Sequence, residues 1–265
     1  MQAQSKTGTI LDRIVEARRA AVDHRMKVVP LPVLKVAVKR NAKPRDFAGA
    51  LSRDRLNVIA ELKKASPSRG VLRKDFPVEA LAAGFEQAGA TALSVLTEEQ
   101  FFEGALVHLT AAHKKTALPI LRKDFIFDPW QVWEARAAEA DSFLLITAIL
   151  DDSSLRELLV LGRELGMEAL VEVHARDELR RAVDAGARIL GVNNRDLRSF
   201  DVRLDTSLEL IEEIPDGCIA VSESGLRARD DLLRLRAAGF DAFLIGEQLM
   251  QAADPGAALK EILGL

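Results

Sequence analysis

The chain has 265 residues, 48% of them hydrophobic, and a formal net charge of −3 from 37 basic and 40 acidic side chains. Aliphatic density excludes a disordered chain, and the even balance of charge excludes a strongly basic nucleic-acid binder. The first twelve residues lack the apolar core of a signal peptide, the longest oily run (143–150) is far short of the ~20 residues that span a bilayer, and the lone Cys218 forms no intrachain disulfide; a cytoplasmic protein is expected.

In chain order, residues 10–21 carry a helical period, Pro30 and Pro32 interrupt it, and 34–38 fit a second helix. The basic stretch from Lys35 to Arg45 reads as a solvated helix face. From Asn57 onward short β-type runs alternate with longer helical segments. The runs are 57–63, 92–96, 119–123, 143–148, 169–174, 189–193, 219–222 and 242–246. Glycines at 89, 166, 186 and 239 each stand shortly before a run, where a left-handed residue ends a helix. Eight such units predict an α/β fold of the closed (β/α)8 TIM-barrel type. The rival, a doubly wound open sheet, normally carries a glycine-rich phosphate loop after its first strand, and neither G-x-G-x-x-G nor G-x-x-x-x-G-K-[ST] occurs. Residues 1–56 are expected to be an N-terminal helical extension capping the barrel within a single domain, 1–265. Cys218, in an apolar run, is expected to be a buried structural thiol.

Parallel barrels place chemistry at the carboxyl ends of their strands. The first run ends with Glu61 and Lys63, two apart and so on one face. Lys123 ends the third, Glu172 and His174 the fifth, and Asn193 the sixth. One such residue alone is an ordinary loop residue. Glu61, Lys63, Lys123, Glu172 and Asn193 converging in one bowl would perturb each other and separate acid from base roles, while His174 reads equally well as a structural hydrogen-bonding residue. For Lys123 two directions are open, since burial lowers a lysine pKa and neighbouring carboxylates raise it. After the last two runs, Ser224-Gly225 and Gly246 bring small residues and free backbone N–H groups to the usual phosphate position of such barrels. The loop from Ala65 to Gly70 has the composition of a lid and equally that of an ordinary connector. Trp130 and Trp133 read as packing residues, and the histidines show no metal-ligand spacing.

These motifs resemble the indole-3-glycerol phosphate synthase family over nearly the whole chain. The matching stretches are Ile59 to Ser68, Leu93 to Glu98, Leu121 to Phe125, Leu170 to His174, Gly191 to Leu197, Ser222 to Gly225 and Leu244 to Glu247. The resemblance implies a decarboxylating, dehydrating ring closure of 1-(2-carboxyphenylamino)-1-deoxyribulose 5-phosphate to indole-3-glycerol phosphate. It makes Lys123 a general acid and Lys63 the binder of the substrate carboxylate and a later proton donor. Glu172 would stabilise the iminium charge or take a proton, with Glu61 as competing base. Asn193 would hold a hydroxyl and Arg195 would help place the carboxylate. Ser66, Glu98, Phe125 and Leu197 are further implied substrate positions, and Ser224, Gly225, Gly246 and Glu247 the phosphate positions. Because an ionised carboxylate repels phosphate, the Glu247 side chain is expected to point away. The implied reaction needs no cofactor and no metal. It also implies a monomer acting on a small phosphorylated substrate, alone or beside other enzymes of its pathway, with no membrane or nucleic-acid partner. The nearest alternatives are a phosphoribosylanthranilate isomerase-like barrel of the same pathway and a barrel that binds phosphorylated ligands without turnover.

Overall fold

The computed structural model describes residues 7–196 and 198–265. Eight parallel strands close into a barrel: β1 (Asn57–Leu62), β2 (Ala92–Leu96), β3 (Ile120–Lys123), β4 (Ser142–Ile146), β5 (Leu170–Val173), β6 (Ile189–Asn193), β7 (Ile219–Glu223) and β8 (Ala242–Ile245). They pair in chain order, and β1 pairs with β8 to complete the ring. Each expected run overlaps one strand; β4 begins one residue before its run and β7 ends one residue after its own. The run 143–148 stops early because Thr147–Ile149 turns into a 3-10 helix. Such strands are buried on both faces, so they read as continuous apolar runs. All six residues of β1 are buried.

Local signals explain the helices between strands. In the helix Asp152–Glu164, Leu155, Leu158, Leu159 and Gly162 are buried at the spacing of one helical face, while the Asp151 carboxylate accepts from the Ser154 N–H and caps the start. Gly239 ends the helix Arg229–Ala238 at φ 118°, a backbone region that a side chain makes costly.

The N-terminal helices run longer than their hydrophobic pattern alone predicts. Helix α1 (Ile10–Val28) starts at Thr9, whose hydroxyl accepts from Leu11 N–H, and continues because no breaker occurs before Pro30. Helix α2 (Leu31–Arg40) holds Pro32 in its first turn, where a missing N–H is harmless. A third, unanticipated helix, α3 (Phe47–Leu51), is capped by Asp46. The stretch from Lys35 to Arg45 is not simply a solvated face. Lys35 sits over the Trp133 ring, 5.1 Å from its centroid, and Arg45 donates to the carbonyls of Leu118 and His113 at 2.7 and 3.1 Å. Trp130 packs with Val22 and Leu34 and donates to the Val29 carbonyl at 3.0 Å, so the two tryptophans are packing residues. Cys218 is only half-buried, because it precedes β7 at the amino end of the barrel; its Sγ lies 3.5 Å from the Ala187 carbonyl. Among the described residues no helix is long and apolar enough to cross a membrane.

Charge, as well as apolar contact, fixes α1. Arg18 and Arg25 of this helix join Arg122, Glu99, Asp124 and Glu134 in a closed ring of alternating sign. Its six contacts are Arg18–Glu99 at 2.5 Å, Glu99–Arg25 at 3.1 Å, Arg25–Glu134 at 2.5 Å, Glu134–Arg122 at 2.8 Å, Arg122–Asp124 at 2.9 Å and Asp124–Arg18 at 2.5 Å. The side chains of Arg18, Arg122 and Asp124 are wholly buried. Burial pushes the Asp124 carboxyl up, but Arg18 and Arg122 outweigh it and hold it below its ordinary value. Each guanidinium forks between two carboxylates, the geometry for which arginine is suited. Removing one partner of a buried pair leaves an uncompensated charge, so Arg18→Met is expected to destabilise the protein by about 3–5 kcal/mol in urea unfolding. A loss below about 1 kcal/mol would mean that the ring does not hold the helix.

Candidate active site

The carboxyl ends of the strands line one bowl, closed on one side by Ile10, Leu11 and Ile14 from the start of α1. Lys123, the last residue of β3, reaches across it. Its Nζ donates to Glu172 Oε2 at 3.0 Å and to Glu223 Oε2 at 3.1 Å. Lys63, just past β1, pairs with Glu61 at 2.5 Å. Burial alone would strip the proton from Lys123, but Glu172, Glu223 and Glu61 outweigh it, and its pKa is raised. Burial likewise pushes Glu172 up, while Lys123 and then His174 pull it down further, to about 2. Glu223 ends on the other side: burial raises it, Lys123 lowers it, Glu172 raises it again, and it stands at about 7. One lysine thus shares two carboxylates with opposite shifts, which is how acid and base roles separate. Asn193 hydrogen-bonds Glu172 through its side chain and accepts the Arg195 N–H at 3.0 Å.

Two glycines make room for these carboxylates. A Cβ on Gly191 would lie 2.2 Å from Glu223 Oε1, and one on Gly246 would lie 2.3 Å from Glu61 Oε1. Gly246 therefore serves the bowl as well as the turn after β8.

The small-residue end is built from β7 and β8. Ser224 has φ 68°, unusual for a residue with a side chain, and Gly225 follows at φ 83°. Asn194 holds this turn, its Nδ2 donating to Ser222 Oγ and to the carbonyls of Glu223 and Ser224 at 3.0–3.1 Å. After Gly246 a short helix, Glu247–Gln251, begins, with Glu247 and Gln248 in the bowl wall. The side chain of Glu247, expected to point away from a phosphate, has cationic partners of its own. Its carboxylate lines the bowl and bridges Arg69 and Arg195, each at 3.0 Å. Two guanidinium groups neutralise the charge that was expected to drive it out. Arg195, expected to help place the substrate carboxylate, thus lines the same bowl as Lys63 with Glu247 as its partner. The loop expected to be a lid is a small hairpin, Ala65–Ser66 pairing with Gly70–Val71, and it carries Arg69 over the bowl.

Residues 11–262 match the family model described as Indole-3-glycerol phosphate synthase. The chain belongs to the indole-3-glycerol phosphate synthase family. Curated relatives of that name include those of Aromatoleum aromaticum, 45% identical over 96% of this chain and 99% of the relative, and Laribacter hongkongensis, 47% identical over 96% and 98%. Among solved structures, a 3-hexulose-6-phosphate synthase superposes with a TM-score of 0.61 at 15% identity, covering 79% of this chain and 99% of that one. The Salmonella typhimurium enzyme of the same name gives 0.62 at 14% identity, over 79% and 97%. At such identity the likeness is one of fold.

Against the positions that the family resemblance implied, the bowl gathers Glu61, Lys63, Ser66, Lys123, Phe125, Glu172, Asn193, Arg195, Ser224, Gly225, Gly246 and Glu247. Glu98 is not among them. It is buried, and its carboxylate accepts the N–H groups of Gln100, Phe101 and Phe102 at 2.7–3.1 Å, which makes it a loop anchor. Leu197 lies outside the described residues. Glu223, Asn194 and Arg69 were missed. The signal for Glu223 was available in β7, where Ser222 and Glu223 must point to opposite sides of the barrel wall. Among the described residues no three His, Cys, Asp or Glu side chains are grouped to hold a metal ion. Because Gly191 leaves the space that Glu223 fills, Gly191→Ala is expected to displace that carboxylate from Lys123. Turnover should fall about 10²-fold with unchanged circular dichroism; full activity would show that Glu223 need not sit there.

Proposed function

We propose that this chain closes the indole ring, converting 1-(2-carboxyphenylamino)-1-deoxyribulose 5-phosphate to indole-3-glycerol phosphate, carbon dioxide and water. The observation that carries this reading is the buried lysine clamped between two carboxylates, set between an apolar wall and a cradle of small residues. Phe102 and Phe125, with ring centroids 5.9 Å apart, and Leu11 and Ile14 offer that wall to an aromatic ring. The backbone N–H groups around Gly225 and Gly246 and the Ser224 hydroxyl suit a phosphate at the other end.

In the reaction a bond forms between the ring carbon bearing the carboxylate and the ribulose carbonyl carbon. Lys123 supplies a proton to the carbonyl oxygen; its raised pKa keeps the ammonium charged, and close contact with the oxygen makes up for its weakness as an acid. Carbon dioxide leaves its electron pair to the ring. The new hydroxyl departs as water with a proton from Lys63, pushed by the nitrogen lone pair. Glu172, ionised throughout the working range, faces the iminium charge so formed. A proton then leaves the methylene carbon beside the nitrogen. Glu223, standing at about 7, is matched to accept it, with Glu61 the alternative. Asn193 orients Glu172 and a substrate hydroxyl. No step is a redox or group-carrier step, so no cofactor is called for. The N-terminal extension, expected over residues 1–56 and described from residue 7, would act as the cap of a single unit, since α1 forms part of the bowl wall. A biosynthetic enzyme acting on a small phosphorylated substrate suits the cytoplasm as its compartment.

The direct test is indole-3-glycerol phosphate fluorescence from the anthranilate-ribulose substrate. Lys123→Ala should lower turnover about 10²–10⁴-fold while unfolding behaviour survives. Turnover within threefold of the unsubstituted chain would remove Lys123 from the mechanism. Glu247→Ser should free Arg69 and Arg195 for the phosphate and remove a negative neighbour, so inorganic phosphate should inhibit about twofold or more strongly. Weaker inhibition would mean that the bridge itself shapes the cradle.

A further inference from the structure

The proposed mechanism does not use His174, one residue beyond β5, although both its ring nitrogens face carboxylates. Nδ1 lies 3.3 Å from Glu178 Oε2, and Nε2 lies 3.3 Å from Glu172 Oε1. Glu178, in the first turn of the helix Arg176–Asp184, also accepts the His174 backbone N–H at 2.8 Å, which locks the carboxylate against the ring. Nε2 is buried and has no aligned hydrogen-bond partner, so its nearest acceptor is the Glu172 oxygen that Lys123 does not hold.

A neutral imidazole has one N–H and one lone pair. Between two carboxylates, either tautomer aims its lone pair at a negative oxygen. Only the doubly protonated ring meets both. The other charges around it are Glu223 and, beyond Glu172, Lys123 from the barrel interior, Asp177 and Arg181 from the adjoining helix, and Arg195, Asp196, Arg198, Asp201 and Arg203 lining the neighbouring polar cleft. Burial pulls the imidazole down, but Glu178 and Glu172 outweigh it and its pKa is raised.

We propose that His174, as an imidazolium backed by Glu178, is the positioning residue for Glu172. It holds Oε1 while Lys123 holds Oε2, so the carboxylate is gripped at both oxygens and faces the cation formed during dehydration. This rests on the ring-closure reading for its kinetic consequences; the charge state of His174 does not.

The experiment therefore has two arms on the full chain. In the first, NMR titration of the His174 ring should give a pKa above the ordinary ~6.5, falling in both Glu178→Gln and Glu172→Gln. A value at or below the ordinary one, or one indifferent to both substitutions, overturns the proposal whether or not the protein turns over the anthranilate-ribulose substrate. In the second, His174→Asn should lower kcat about tenfold or more with KM within about twofold. Glu178→Gln, which keeps the ring, should move the alkaline limb of kcat to lower pH by about half a unit or more, since loss of a carboxylate releases the imidazole proton sooner. A kcat unchanged in His174→Asn, or a limb that stays fixed in Glu178→Gln, overturns the positioning role. An unsubstituted chain without turnover sinks the ring-closure reading and with it that role, and the titration still decides the charge state.

Discussion

Burying a protonated lysine requires negative partners, and the partners must themselves be kept from protonating. In this barrel Lys123 solves the problem by standing between Glu172 on β5 and Glu223 on β7, the latter the strand opposite its own. The arrangement has more carboxylates than cations nearby, so one acid must carry the surplus. That acid is Glu223, raised to about 7, while Glu172 is held ionised. Gly191 and Gly246 leave space, Asn193 and His174 flank Glu172, and the turn held by Asn194 follows directly after Glu223. Most of the bowl is the surrounding needed to keep one ammonium in place.

Beneath that ammonium lies the second electrostatic assembly. Arg122 and Asp124 flank Lys123 in the chain and belong to the ring that includes Arg18 and Arg25 of α1. Successive residues of an extended chain point to opposite sides. Lys123 therefore enters the bowl while Arg122 is turned into the layer between barrel and helices. The N-terminal helix is thereby fastened to the same strand that carries the central lysine, and its own Leu11 and Ile14 return to the bowl wall. Such rings are specific in geometry before they are strong, because desolvation of the ions offsets much of their attraction.

The barrel was legible in the sequence because buried parallel strands are apolar on both faces and four of the helices between them run out into left-handed glycines, at 89, 166, 186 and 239. Glu61, Lys63, Lys123, Glu172 and Asn193 were legible for a related reason: polar residues ending apolar runs have one plausible place to point. What the sequence hid depends on distant partners. Glu98 has the look of a site residue, yet three nearby N–H groups consume its carboxylate. Glu247 looked unwelcome beside a phosphate because Arg69, 178 positions away, could not be paired with it in advance. Glu223 was hidden between two serines in a motif read for its turn. The N-terminal helices outran their hydrophobic pattern because their outer turns are largely solvent-facing, with basic residues in the last turn of each.

The two interior glycines carry a consequence for how this sequence can diverge. At Gly191 the missing side chain is replaced by the carboxylate of Glu223 from the next strand, and at Gly246 by that of Glu61, so each glycine and its acid fill one shared volume. Neither member of a pair can drift alone. A larger residue on one strand is tolerated only after the acid on its neighbour has shortened or gone, and by then the charge balance around Lys123 has changed. The two pairs should therefore appear among homologues as linked columns, changing together or not at all, although the partners stand 32 and 185 positions apart in the chain.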